Sequence, residues 1–310
     1  MTDEPAIATR GLAKTFGDAM PAIAGLDLEI RRGELFGLVG PDGAGKSTLI
    51  RLLCGLLQPT AGSARVLGCD LLRQPGEIKR RIGYLSQNFT LYGDLTADEN
   101  IEFFSRLHGT PSFRKRRDEL LEFTRLTPFR SRLADKLSGG MKKKLALACT
   151  LIHTPELIFL DEPSTGVDPV SRGEFWNILS GILAQGVTLL MTTPYLDEAE
   201  RCHRICLIHQ GRAVITGTPA EIKRSMPGAV YDCRSPSPAA AYKRMRARWD
   251  ATSLALRGDS LRWWTPGGAE AAGEAAAWLD AGGCGPAVFD PSEPDLEDAF
   301  IAILETGKHG

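Results

Sequence analysis

Between residues 5 and 35 apolar and polar positions alternate, with Ile7, Leu12, Phe16, Leu26, Leu28 and Ile30 on the apolar side, which predicts antiparallel strands. The pattern then changes. Residues 34–39 form a short apolar run that reads as a buried strand, and 47–57 carry apolar residues at helical spacing. Residues 82–87 read as another short strand. The segments 97–107 and 115–124 are helical with no strand between them, and a further helix is predicted at 141–152, so a helical insertion over about 88–155 is the simplest organisation. The apolar runs 157–160 and 187–191 flank a helical segment at 172–184, as buried parallel strands joined by a crossover helix do. This alternation predicts an α/β fold. After Met226 the composition shifts: Pro227-Gly228, the cluster Ser235-Pro236-Ser237-Pro238 and a Gly- and Ala-rich stretch at 266–286 separate short periodic segments. A main domain over 1–226 and a small α+β accessory domain over 227–310 are therefore expected. In the latter, Trp263-Trp264 is expected to pack in a core against Trp278 rather than to form an exposed binding surface.

The first buried strand and the helix after it are joined by Gly40-Pro41-Asp42-Gly43-Ala44-Gly45-Lys46-Ser47-Thr48, the spacing G-x-x-x-x-G-K-[ST]. A loop in this position aims backbone N–H groups and the positive end of a helix at phosphates. Gly43 and Gly45 let the backbone come close and adopt positive φ, Lys46 supplies a point charge to the β- and γ-phosphates, and Ser47 offers a hydroxyl to Mg²⁺. ATP or GTP is the expected ligand. The strand at 157–160 runs into Asp161-Glu162, at the carboxyl end of a strand, where open α/β sheets bind ligands. Asp161 is suited to hold Mg²⁺, and Glu162 to take a proton from an attacking water. Attack on a γ-phosphoryl group needs positioning and charge neutralisation more than covalent help. Between these motifs, Leu137-Ser138-Gly139-Gly140-Met141-Lys142 is a second glycine-bearing turn at a helix start, and so another candidate phosphate contact.

Composition narrows the partners. The chain has 310 residues and a net charge of −1, which gives no electrostatic reason to favour nucleic acid. The basic runs Arg114-Lys115-Arg116-Arg117 and Lys142-Lys143-Lys144 read as solvated helix faces. No apolar stretch reaches the roughly 18 residues of a membrane span, and the N-terminus lacks the regions of a signal peptide, so a cytosolic location is expected. Seven scattered cysteines without C-x-x-C make a disulfide framework unexpected, and most are expected to be small core residues. Cys202, His203, Cys206 and His209 lie close in sequence, but their side chains diverge if the segment passes from helix to strand.

With Gln87 ahead of the Ser138-Gly139-Gly140 turn and Ser164-Thr165-Gly166-Val167-Asp168 behind the acid pair, the ordered set resembles the nucleotide-binding subunits of ABC transporters, over residues 5–225. The resemblance implies an ABC-type P-loop NTPase core with an antiparallel β subdomain, binding ATP and Mg²⁺ and hydrolysing ATP. It implies that Phe16 stacks on adenine and that residues 40–48 cradle the phosphates. Ser47, Gln87 and Asp161 would hold Mg²⁺, while Lys46, Gln87 and Glu162 would serve catalysis. Ser138, Gly139 and Gly140 would reach the ATP of a second subunit in a head-to-tail dimer, with Asp168 in the loop that crosses to it. The segment Asp295-Leu296-Glu297-Asp298-Ala299-Phe300-Ile301 looks like the tail ending of drug-exporter ATPases that pair with ABC-2-type membrane subunits. The implied setting is the cytoplasmic face of a membrane, with integral permease subunits as partners and no nucleic acid. Phe89, Leu91 and Tyr92 are then candidate anchors for a cytoplasmic helix of the permease.

The pattern departs from the family at two places. After the strand at 187–191 the family usually has Thr-Thr-His, whereas here Thr192-Thr193-Pro194 is followed by Tyr195-Leu196-Asp197-Glu198. Proline can neither donate a hydrogen bond nor titrate, so slow hydrolysis with near-normal ATP affinity is expected. A complete Ser138-Gly139-Gly140 beside a degenerate Pro194 favours a heterodimer over a homodimer, and the chain is similar to the first half of fused two-cassette exporter ATPases. The second departure is Asp42, where asparagine is usual; its carboxylate is expected to cap the turn and face solvent. The rival readings are a soluble ABC-type ATPase outside transport and a regulatory subunit that binds ATP without hydrolysing it.

Overall fold

The computed structural model describes residues 4–17, 20–88, 91–111, 113–249 and 251–307. Phe89 lies outside the described residues. The chain forms two compact units, Met1–Ala213 and Val214–Gly310.

The first unit opens with β1 (Ile7–Lys14), β2 (Ile23–Ile30) and β3 (Leu35–Val39), then α1 (Lys46–Leu53), β4 (Ala61–Val66), β5 (Cys69–Asp70), α2 (Pro75–Arg81) and β6 (Ile82–Leu85). Three helices follow, α3 (Ala97–Leu107), α4 (Phe113–Phe123) and α5 (Gly139–Leu151), in the region expected to be a helical insertion. The remaining elements are β7 (Leu157–Asp161), α6 (Pro169–Ala184), β8 (Thr188–Thr193), α7 (Leu196–Ala199), β9 (Arg204–His209) and β10 (Arg212–Gly217). The strands make an antiparallel sheet of order β2-β1-β4-β5 and a six-stranded sheet of order β10-β9-β3-β8-β7-β6. In the second sheet β9, β3, β8, β7 and β6 are parallel. Every residue of β3, β7 and β8 is buried, which is why they read as continuous apolar runs instead of alternating ones. The alternation in β1 and β2 reflects a sheet with only one face in the core.

The chain passes from the first unit to the second within β10. The second unit holds α8 (Pro219–Arg224), β11 (Ala229–Arg234), α9 (Pro238–Met245), β12 (Leu254–Arg257), β13 (Ser260–Thr265), α10 (Gly268–Ala281), β14 (Val288–Ser292) and α11 (Leu296–Gly307), with an antiparallel sheet of order β12-β13-β11-β14. The division lies ahead of the Met226 boundary expected from composition, because α8 packs on α11. Composition marks where loops become rich in Pro and Gly, not where contacts change allegiance.

Trp263 and Trp264 are 1% and 8% exposed, so both are core residues. The ring neighbours of Trp263 are Trp249 at 5.5 Å and Phe289 at 5.7 Å rather than Trp278, whose ring lies under Arg244 and Arg248. All seven cysteines are buried free thiols. No helix among the described residues is long and apolar enough to cross a membrane.

Candidate active site

The loop after β3 turns into α1 at Gly45, which has φ 104° and whose α-hydrogen faces the Ala22 carbonyl so closely that a Cβ would sit 2.3 Å from that oxygen. Only glycine fits both conditions. Gly45→Ala is therefore expected to displace the loop and weaken ATP binding about 5- to 150-fold, from strain of roughly 1–3 kcal/mol. The check is the ATP-induced rise in melting temperature, and a wild-type rise would refute it.

Gly43, Gly45, Lys46, Ser47 and Thr48 line a cleft of about 530 Å³ together with Ala22, Asp42, Gln87, Glu162, Thr165, Pro194 and Tyr195. Gly40, Pro41 and Ala44 frame it. The Lys46 ammonium, 4% exposed, donates to the carbonyls of Gly40 at 2.8 Å and Pro41 at 3.1 Å, while Ala44 is buried. The Asp42 side chain is 96% exposed, as expected, and the contact of its carboxylate is an ion pair with Lys46 Nζ at 3.9 Å rather than a cap on the turn. Phe16 is 49% exposed and carries the Lys14 ammonium 5.1 Å from its ring centroid. It does not line the cleft.

From the next strands comes the acid pair. Asp161, 2% exposed, accepts hydrogen bonds at one oxygen from Ser47 Oγ at 2.9 Å and Thr192 Oγ1 at 2.8 Å. Successive strand residues point to opposite faces, so Asp161 and Glu162 would ordinarily diverge. Glu162 escapes that geometry with φ 48°, a left-handed conformation uncommon outside glycine, and its N–H donates to Thr192 Oγ1 at 2.9 Å. Its carboxylate accepts from Gln87 Nε2 at 2.9 Å and Thr165 Oγ1 at 3.4 Å and lies 3.7 Å from Lys46 Nζ. The cleft thus combines a fixed ammonium, a hydroxyl and carboxylate pair, and a second carboxylate held by an amide.

A family model described as ABC transporter matches residues 23–165. The daunorubicin/doxorubicin resistance ATP-binding protein DrrA of Streptomyces peucetius is 42% identical over 232 residues, covering 74% of this chain and 70% of DrrA. The chain belongs to the ABC transporter ATP-binding proteins. The probable multidrug ABC transporter ATP-binding protein YbhF of Escherichia coli (strain K12) is 45% identical over 76% of this chain, which spans 41% of the length of YbhF. Among solved structures, the ATP-binding cassette MJ0796, in a dimeric post-hydrolysis state bound to ADP and Pi, superposes with TM-score 0.63 at 26% identity, covering 68% of this chain and 98% of that one.

In this ABC ATP-binding domain, Ser138, Gly139, Gly140 and Asp168 do not line the P-loop cleft. They form a second cluster at the N-termini of α5 and α6. Ser138 Oγ accepts from Met141 N at 3.3 Å and Asp168 accepts from Ser171 N at 3.0 Å, each capping its helix. The hydrogen bonds from the Ser171 side chain and backbone hold the Asp168 carboxyl below its usual range. A side chain at Gly140 would force a shift here, since a Cβ would sit 2.4 Å from Ser171 Oγ and 2.5 Å from Ser171 Cβ.

Gln87 also lines a second cleft of about 460 Å³, with Asn88, Leu91, Gly139, Lys142 and Lys143 among its walls. Lys143 Nζ donates to the Gln87 carbonyl at 3.1 Å, and burial lowers its pKa. Lys144, 6% exposed, pairs with Glu174. The 142–144 run is therefore not a solvated face throughout, because the helix turns Lys144 inward. In the run at 114–117, Lys115, Arg116 and Arg117 pair with Asp98, Asp118 and Glu119. His203 Nδ1 accepts from Leu35 N at 3.0 Å, and Cys202 and Cys206 are buried. Thr165, Thr192 and Lys143 are site residues that sequence reasoning gave no role. Thr192 had a signal, as a polar residue ending an apolar strand, whereas Lys143 had none.

Proposed function

We propose that the chain binds MgATP in the P-loop cleft, hydrolyses it with Glu162 as general base, and powers export through integral membrane subunits at the cytoplasmic face of a membrane. The observation that carries this is the Glu162 carboxylate held by Gln87 and Thr165 within 3.7 Å of the buried Lys46 ammonium. The residues suit the ligand. Gly45 gives a cradle that a Cβ would fill, Lys46 has a buried positive charge whose polar partners among the described residues are carbonyls and carboxylates, and Ser47, Asp161 and the Gln87 amide are hard oxygen donors for Mg²⁺. Bound Mg²⁺ supplies charge neutralisation between the phosphates. Lys46 adds a fixed positive charge, the Ser47–Asp161 pair fixes the oxygen donors, and Gln87, by letting go of Glu162, frees the carboxylate to accept a proton from water.

Ser138, Gly140 and Asp168 stand at helix ends away from their own P-loop cleft, which supports the reading that they serve the ATP of a second ATPase subunit. The dimeric state of MJ0796 supports it too. A heterodimer is favoured because Pro194, exposed in the cleft, has no donor for phosphate. The same residue is the one observation in favour of a subunit that binds without hydrolysing. ABC-2-type permeases are the proposed membrane partners, with Leu91, which lines the Gln87 cleft, and the exposed Tyr92 as contacts.

The test is phosphate release by the purified chain and by its assembly with co-expressed partner subunits. Pro194→His is expected to raise turnover of this site by about 10²-fold with ATP affinity unchanged. Unchanged turnover would show that Pro194 does not limit the site.

A further inference from the structure

We propose that the Tyr195 phenol donates a hydrogen bond to the terminal phosphate of ATP, and so lets this site distinguish ATP from ADP. The inference rests on the reading of the cleft as an ATP site and not on the site being slow. Position is the first argument. In the sheet β8 lies between β3 and β7, with Thr193 opposite Val39 and Thr192 opposite Asp161. The corner after β8 therefore stands between the phosphate loop, which starts at Gly40, and the acid pair. Phosphates fill the loop from one side and the attacking water is addressed by Glu162 from the other, so what lies between them is the terminal phosphoryl group.

Donor inventory is the second argument. Among the neutral side chains lining the cleft, Ser47 donates to Asp161, and Gln87 and Thr165 donate to Glu162, while the Lys46 ammonium, bonded to the Gly40 and Pro41 carbonyls, is the charge on the loop side. Thr48 belongs to the first turn of α1, on the loop side. Pro194 has no donor. The Tyr195 hydroxyl makes no hydrogen bond among the described residues, although the residue is 36% exposed and lines the cleft.

The ring is also held in place. The Arg172 guanidinium lies 5.3 Å from its centroid and is itself 3.7 Å from Asp197. The Tyr195 N–H donates to Thr193 Oγ1 at 3.0 Å, and that hydroxyl donates to the buried Glu198 at 2.7 Å. A ring covered on one face by Arg172 and anchored through its backbone N–H loses less freedom when its hydroxyl binds, and an O–H donor to a charged phosphate oxygen makes a strong, charge-assisted bond.

Calorimetric titration of the full chain carrying Glu162→Gln, with MgATP and with MgADP, tests this. Adding Tyr195→Phe is expected to weaken MgATP binding about tenfold and leave MgADP binding unchanged. Preserved MgADP binding doubles as proof that the cleft is folded. Equal losses for both nucleotides would assign Tyr195 to packing, and no loss for either would leave it no role; both overturn the inference. Failure of the Tyr195-bearing chain to bind either nucleotide would instead overturn the ATP-site reading beneath it.

Discussion

Replacing Glu162 by glutamine is expected to lower phosphate release at this chain's own site by about 10²- to 10⁴-fold while ATP still binds. The amide matches the carboxylate in shape, so the contacts with Gln87, Thr165 and Lys46 can be kept in altered polarity, but it cannot accept a proton from water. Ground-state contacts to phosphate come from the loop, Lys46 and Ser47 and are untouched. The measurement is single-turnover phosphate release alongside retention of labelled nucleotide. Wild-type release by the Glu162→Gln chain on its own would remove Glu162 from the chemistry. In the assembly a different result is informative: activity that appears only there and survives Glu162→Gln would place hydrolysis at the partner's site, as the heterodimer reading requires.

The second large effect lies in the C-terminal unit. Arg262→Met is expected to destabilise that unit by about 3–5 kcal/mol, because it strands a buried carboxylate. Arg262 and Asp298 are 7% and 6% exposed, and the guanidinium reaches Asp298 at 2.6 Å, Ser292 Oγ at 2.9 Å, the Glu293 carbonyl at 2.7 Å and Asp232 at 3.3 Å. It therefore ties β13 to β11 and β14 and to the start of α11. Across the first turn of that helix the Asp295 N–H donates to the Asp298 carboxylate and the Asp298 N–H to the Asp295 carboxylate, each at 2.9 Å. The tail segment beginning at Asp295 has a physical account in these contacts: Asp298 anchors Arg262, while Leu296, Ala299 and Ala302 are buried. Urea unfolding followed through the tryptophans of this unit provides the check. Adding Asp298→Leu to Arg262→Met is expected to recover part of the loss, since it removes the stranded charge. A loss under about 1 kcal/mol in the single variant would show the pair to be hydrated and unimportant.

Much of the nucleotide site was legible because its chemistry is local. The phosphate loop is one contiguous run, and its conformation follows from glycines at fixed offsets between a strand and a helix. Asp161-Glu162 announces itself as acid at the end of an apolar strand, and the order of the motifs along the chain carried the family. The fold class followed from the same periodicities, since buried parallel strands and amphipathic helices leave different spacings. Phe16 stood out only through resemblance, and the structure leaves its ring exposed outside the cleft.

What the sequence determined by itself was therefore which residues form the glycine-rich loop and which supply the acid pair, because those features depend on neighbours within a few positions. Only the tertiary structure decided how they meet. The pairing of β3, β8 and β7 sets Ser47 against Asp161 across 114 residues of chain. The left-handed turn at Glu162 brings its carboxylate to Gln87 and Lys46, and the position of α5 turns Lys143 toward Gln87 and Lys144 toward Glu174. The same long-range packing gives Trp263 the partners Trp249 and Phe289, and places Tyr195 in the cleft beside a proline that cannot donate. No local pattern encodes such contacts, because they are fixed by strand register and helix packing between segments far apart in sequence.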